Sequence, residues 1–203
     1  MIVIVDYGVG NLNSVYNMIR KVGGKVLISG EPDVVNAATK LVLPGMGHFD
    51  NCMIRFRSSG LAAIIEEKVI EKKTPLLGIC VGMQMFMHSS EEGVEKGLGW
   101  VKGKTIRFRM PGEANIKIPN MGWLDVRVEN QTRISEGLDN ARFYFAHSYH
   151  VDVDDKSDVL LTSDYGYTFV SGIARANLIG VQFHPEKSHR FGMALFKNFV
   201  DKY

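Results

Sequence analysis

Four short apolar runs punctuate the first eighty residues: IVIV at 2–5, KVLI at 25–28, KLVLP at 40–44 and PLLGI at 75–79. None alternates apolar with polar, so each reads as a strand buried on both faces, and most are followed by a Gly-rich or polar turn and a helical stretch. A sheet of such strands needs cover on both sides. The chain is thereby confined to the α/β class, with helices around a mostly parallel sheet. Leu12, Val15, Met18, Ile19 and Val22 keep a 3.6-residue period behind Asn11, which is placed as an N-cap. A second crossover helix is expected over 61–70.

From about Gly99 the texture changes to WVKGKTIRF, WLDVRV, RFYFAHSYHVDV, VLLTSDYGYTFVSGIA and LIGVQFHP, which suit antiparallel strands. An amphipathic run over 190–200, with Phe191, Ala194, Leu195 and Phe199, should pack back on the sheet. No repeat, linker or low-complexity tract divides the 203 residues, so a single domain spanning 1–203 is expected. The net charge of +2 gives no footprint for nucleic acid or membrane. Cys52 and Cys80 have neither disulfide-framework nor metal-ligand spacing, which points to a reduced, cytoplasmic chain without a metal site. The opening MIVIVDYGVGN lacks a basic leader and meets Asp6 early, so it reads as the first strand rather than a signal peptide or membrane span.

The run PLLGICVGMQMF passes from strand-like to helix-like at Cys80, which Gly78 and Gly82 frame. Small residues two before and two after a nucleophile are the signature of the strand-to-helix elbow, where neighbouring backbones come too close for side chains. A helix starting near Gly82 would aim its N-terminal dipole at the sulfur. The same pentapeptide also suits a small buried core thiol. In VQFHPEKS, His184 and Glu186 share one face if the chain is extended, so the carboxylate can orient the imidazole. Pro185 places the pair at a strand end or edge. Alone, the pair would also fit a surface ion pair; beside a cysteine elbow it fits base and orienter.

The LVLPGMGHF run ends in Pro44-Gly45-Met46-Gly47, read as a turn whose amides face a cleft, with the Val81 amide as second donor for an oxyanion. An ordinary Pro-Gly turn is the alternative. DYGVGNLNS has Asn13 at the third glycine position of a dinucleotide fingerprint and is not read as a nucleotide site. Cys52, near Met53 and Phe56, reads as packing.

These motifs, with GLGWVKGK, IPNMGW and FYFAHSY, resemble the class I, or triad, glutamine amidotransferases over nearly the whole chain, and among them the glutaminase subunits of imidazole glycerol phosphate synthases. The resemblance implies a flavodoxin-like three-layer sandwich, with an antiparallel portion added to the mostly parallel central sheet. It also implies hydrolysis of glutamine without metal or organic cofactor, the ammonia passing to a cyclase partner of a heterodimer in histidine biosynthesis. By matching motif positions, Cys80 is the nucleophile, His184 the acid/base and Glu186 its orienter. Met46, Gly47 and Val81 form the oxyanion hole, and Gly45, Gln84, Glu92, Ser148 and Tyr149 hold the substrate. Asn11, Trp123, Tyr144 and Lys187 face the cyclase. Three positions depart from the family's pattern: Asn120 where histidine is usual, Leu124 where asparagine is usual, and His150 where an aromatic often follows HSY. The other readings are a paralogue serving amidino-sugar synthesis, a free-standing cysteine hydrolase and a noncatalytic scaffold subunit.

Overall fold

The computed structural model describes residues 1–110 and 116–203. Its first half alternates strands and helices: β1 (Ile2–Val5), α1 (Leu12–Lys21), β2 (Val26–Ser29), α2 (Pro32–Ala37), β3 (Lys40–Gly45), α3 (Phe49–Ser58), α4 (Ala62–Glu66), β4 (Leu76–Cys80) and α5 (Val81–Gln84). The expected helix over 61–70 is α4 continued by a turn of π-helix, Glu67–Glu71. Strands then dominate: β5 (Gly103–Arg107), β6 (Asn120–Asp125), β7 (Arg127–Val128), β8 (Arg142–His147), β9 (Tyr149–Val153), β10 (Val159–Tyr165), β11 (Tyr167–Arg175) and β12 (Leu178–Val181), before the closing helix α6 (His189–Lys202).

Ten strands form one mixed sheet, in which β2-β1-β3-β4-β12 are parallel and β12-β11-β10-β7 antiparallel, with β9 and β5 branching from β11. β6 and β8 make a separate antiparallel pair. Strands β1, β4 and β12 are buried along their whole length, as their unbroken apolar runs require. Right-handed crossovers supply the cover: the step from β1 to β2 runs opposite to the steps from β2 to β3 and from β3 to β4. Helix α1 therefore lies on one face, and α2, α3 and α4 on the other. α6 packs beside α1. The result is the expected three-layer arrangement.

Some local expectations fail. Asn11 holds the cap position of α1, but its side chain makes no capping bond. Pro44 and Gly45 are not a turn: β3 runs through both, pairing Pro44 with Ile79 and Gly45 with Cys80, and the bend comes at Gly47, where φ is +86°. The LIGV segment is antiparallel only to β11; its other edge pairs parallel with β4, Val181 opposite Ile79. That pairing matters most, because it lays the ends of β3, β4 and β12 side by side although they are drawn from distant parts of the chain.

The ends of β3 and β4 touch backbone to backbone. A Cβ on Gly82 would stand 2.0 Å from the Leu43 carbonyl oxygen, and one on Gly45 2.3 Å from the Gly82 nitrogen. Tyr7 fastens β3 from the other side, its buried hydroxyl donating to the Pro44 carbonyl at 2.5 Å. The Gly-rich stretch after β1 thus serves packing. Gly82→Ala forces two backbones apart and should cost about 1–3 kcal/mol of stability or more. Urea unfolding reads this as a lower midpoint at unchanged slope.

Candidate functional site

Cys80 ends β4 with φ 56° and ψ −116°, a left-handed backbone that a β-carbon makes costly by about 1–3 kcal/mol. The strain is the elbow itself: it turns the thiol out of the sheet at the point where α5 begins. α5 is a single turn, so the dipole assistance expected for the sulfur is small. The sulfur opens on a cavity of about 320 Å³ lined by Met46 and Gly47 after β3, Val81 and Gln84 on α5, Glu92, and Ser148 and Tyr149 between β8 and β9. His184 and Lys187 also stand on this wall.

His184 and Glu186 do meet, though not across an extended strand. β12 stops at Val181, and Pro185–Lys187 form one 3-10 turn with His184 as its cap. Proline's fixed φ suits the first helical position, so His-Pro-Glu folds into a turn. The turn brings His184 Nδ1 to 2.9 Å from Glu186 Oε1, with both side chains buried. Glu186 stands behind the imidazole, outside the cavity lining, and its Oε2 is buried without a hydrogen-bond partner among the described residues.

Gly45 also lies behind the cavity, paired with Cys80 in the sheet. Glu92 lines the cavity and accepts the amide of Phe49, the first residue of α3, at 2.8 Å. Asp50 answers by accepting the amides of Val94 and Glu95, both at 3.0 Å, so the Glu92 loop and the start of α3 clasp each other. Cys52 is buried in α3, its thiol pushed up by burial, in keeping with a packing role.

Asn11, Trp123 and Tyr144 do not line the cavity. Trp123 and Tyr144 sit opposite each other on β6 and β8, their rings 6.1 Å apart edge to face. Trp123 also stacks on His189 at 5.6 Å, and the Lys187 ammonium lies 5.7 Å from the Tyr144 ring centre. Trp123, 37% exposed, is not a core residue. Asn11 begins the helix that packs against the His-Pro-Glu turn.

A family model, glutamine amidotransferase class-I, matches residues 3–203. The chain belongs to that family. Among curated relatives of this amidotransferase are imidazole glycerol phosphate synthase subunit HisH 2 of Methanococcus maripaludis, 48% identical over 98% of each chain, and the subunit of the same name in Pseudomonas aeruginosa, 46% identical over 99% of each. The solved structure of PurLQS from Thermotoga maritima shares the fold, with a TM-score of 0.74 at 21% identity, covering 98% of this chain and 97% of that one.

Two buried residues of this amidotransferase, His147 and Gln182, stand in the quoted motifs without a role assigned by them. His147 is buried, lines the cavity and is pushed down to about 3, chiefly by burial and also by the neighbouring His150 and His184. The Tyr149 carbonyl 2.7 Å away can only accept, so His147 donates from Nδ1 and takes the Asn120 amide on Nε2 at 3.2 Å. Asn120, the departure from the family pattern, thus has a buried partner. His150, another departure, meets the Tyr167 hydroxyl at 2.8 Å. Phe145 and Phe143, two and four residues before His147 in RFYFAH, are the sequence signal that position 147 points inward, and β8 buries all three.

His184 goes the other way. Burial alone would lower it, but hydrogen bonding to Cys80 and Glu186 and the charges of both raise it to about 10. Its proton therefore stabilises the fold fully below the unfolded value of 6.5, and that contribution fades as pH climbs to about 10. Glu186→Gln should lower the His184 titration midpoint, read by imidazole NMR. Its stability deficit against wild type should be largest below pH 6.5 and close toward pH 10.

Proposed function

We propose that this chain is the glutamine-hydrolysing subunit of an imidazole glycerol phosphate synthase, supplying ammonia to a cyclase partner for histidine biosynthesis. Its membership of the class-I amidotransferases supports the glutaminase chemistry, and its relatives named as synthase subunits support the pathway. The observation that carries the reading is the meeting, at the ends of β3, β4 and β12, of a glycine-bearing loop, a strained thiol and a carboxylate-backed imidazole.

Cys80 sulfur, as thiolate, attacks the side-chain carbonyl carbon of glutamine. The carbonyl electron pair moves to oxygen, which the amides near Met46, Gly47 and Val81 receive. The C–N bond breaks as His184 protonates the nitrogen, and ammonia leaves. Water, deprotonated by His184, then adds to the thioester; the C–S bond breaks and glutamate departs. Glu186 keeps the imidazole in one orientation throughout. Gln84, Glu92, Ser148 and Tyr149 surround the rest of the substrate, and Gly45 holds the loop from behind.

Ammonia that escapes into water at neutral pH is protonated and no longer a nucleophile, so the cavity mouth should meet a partner. Trp123, Tyr144 and Lys187, with Asn11 on the adjoining helix, form the docking face, to which Met121, 65% exposed, adds apolar area. Lys187 lies on both the cavity wall and this face, and would meet an acidic group at the entrance of the ammonia passage.

Cys80→Ala should abolish ammonia release from glutamine while leaving the partner's use of added ammonia intact. Comparable glutamine-driven turnover would sink the assignment. A glutamine-like electrophile should label Cys80 and spare Cys52, which mass spectrometry reads directly. Glutamine hydrolysis should be slow in the isolated chain and rise on adding the cyclase, and Lys187→Ala should weaken that coupling without lowering the melting temperature. Full activity unchanged by any cyclase would favour a free-standing hydrolase.

A further inference from the structure

Gln182 lies on the segment between β12 and His184 and is completely buried. The proposed reaction gives it no task, yet its carboxamide ends at the reacting atom: Nε2 is 3.6 Å from Cys80 Sγ. The direction of that contact follows from its neighbours. The Tyr149 carbonyl can only accept, so Gln84 turns Nε2 toward it, at 3.1 Å. The same Gln84 nitrogen reaches Gln182 Oε1 at 3.0 Å. Both hydrogens of the Gln84 amide are then committed, and Gln182 must accept with its oxygen and present its N–H to the sulfur.

We infer that Gln182 is a further catalytic residue, a buried neutral amide donor that holds the Cys80 sulfur as thiolate. A neutral donor does this without competing for the proton that His184 must carry to the departing ammonia. Its effect falls on two states. Before attack it favours the ionised sulfur; in the second step, when the C–S bond of the thioester breaks, it receives the charge returning to sulfur. The carbonyl oxygen carries the charge between these states. The chain of bonds also fixes Gln84, leaving its Oε1 as the one polar atom of that side chain without a protein partner among the described residues, an acceptor for an N–H of the substrate.

The inference rests on the glutaminase reading for its catalytic consequence, and on geometry alone for its effect on the thiol. Alkylation by iodoacetamide tests the thiol without glutamine. Cys80 modification, followed by mass spectrometry against pH, should shift upward by about one pH unit in Gln182→Leu, the tenfold loss expected when a hydrogen bond to a charged group disappears. Gln182→Asn keeps the amide but shortens its reach, and should shift in the same direction; it decides the matter if the leucine variant fails to fold. The other groups that face the sulfur stay in place in both variants: His184 with Glu186 behind it, Lys187 and Glu92 on the cavity wall, and Tyr7 and Cys52 from the start of the chain and α3. A merely packing role for Gln182 would lower the melting temperature and leave the alkylation profile where it is.

With glutamine and the cyclase present, the same variants should lose about tenfold in kcat with KM little changed. An unchanged alkylation profile in either folded variant overturns the inference. Wild-type chain that fails to release ammonia from glutamine would instead overturn the glutaminase reading, with the alkylation profiles still deciding the role of Gln182.

Discussion

The contact on which the site depends is between main chains. Gly82 lies against the Leu43 carbonyl, and Gly45 against Gly82, at distances no side chain could share. This approach fixes the end of β3 against the elbow at Cys80, and so sets the amides after β3 relative to the sulfur before any side chain is considered. The strained Cys80 backbone persists because its surroundings over-determine it: Ile79, Val81 and Met83 are buried on either side of the turn. Burying aliphatic side chains of this size contributes about 1.5–3 kcal/mol each, enough to outweigh the local strain.

On that frame two buried histidines are driven apart in charge. His147 has only hydrogen-bond partners that suit a neutral ring, a carbonyl on one nitrogen and an amide N–H on the other, and burial leaves it uncharged. His184 has a carboxylate behind it and a thiol in front, and keeps its proton against the same burial penalty. A cavity with one neutral and one protonated imidazole separates orientation from proton transfer. His147 organises the Tyr149 carbonyl, whose acceptor character sets the direction of the amides of Gln84 and Gln182, while His184 carries the proton that the proposed reaction moves.

What could be read in the sequence was local. The elbow is legible because glycines at two before and two after the cysteine are a steric requirement of the turn, and the parallel half of the sheet because strands buried on both faces lose their alternation. The His-Pro-Glu pair is legible but its backbone is not: two-residue spacing suits an extended segment, whereas proline's φ favours the helical turn that forms. The parallel seat of β12 could not be read from its neighbourhood, since the adjacent strand in sequence, β11, is antiparallel to it. Gln182 and His147 stood inside recognised motifs and had no assigned role, because their partners Cys80, Gln84 and Asn120 arrive from remote segments and only the fold assembles the network.

The proposed catalytic set is unevenly locked, and this bears on how a partner could govern it. Cys80, Gln182, His184 and Glu186 are all buried, and each has bonds or sheet pairing that hold it. The loop after β3 differs: Met46 is 49% exposed, and a Cβ on Gly47 would meet nothing within 4 Å. Its ends are pinned, by Tyr7 on Pro44 and by Glu92 on Phe49, while at its middle the Met46 carbonyl accepts the Cys52 thiol at 3.5 Å, a weak bond. A glycine at φ +86° beside an exposed methionine is the cheapest place in this site to turn a peptide plane, whereas moving the thiol or the imidazole would break buried contacts. A protein docked over Trp123, Met121 and Lys187 would therefore act most economically through the amides proposed to receive the oxyanion, changing the charge stabilisation in the transition state and leaving the proposed nucleophile and base undisturbed.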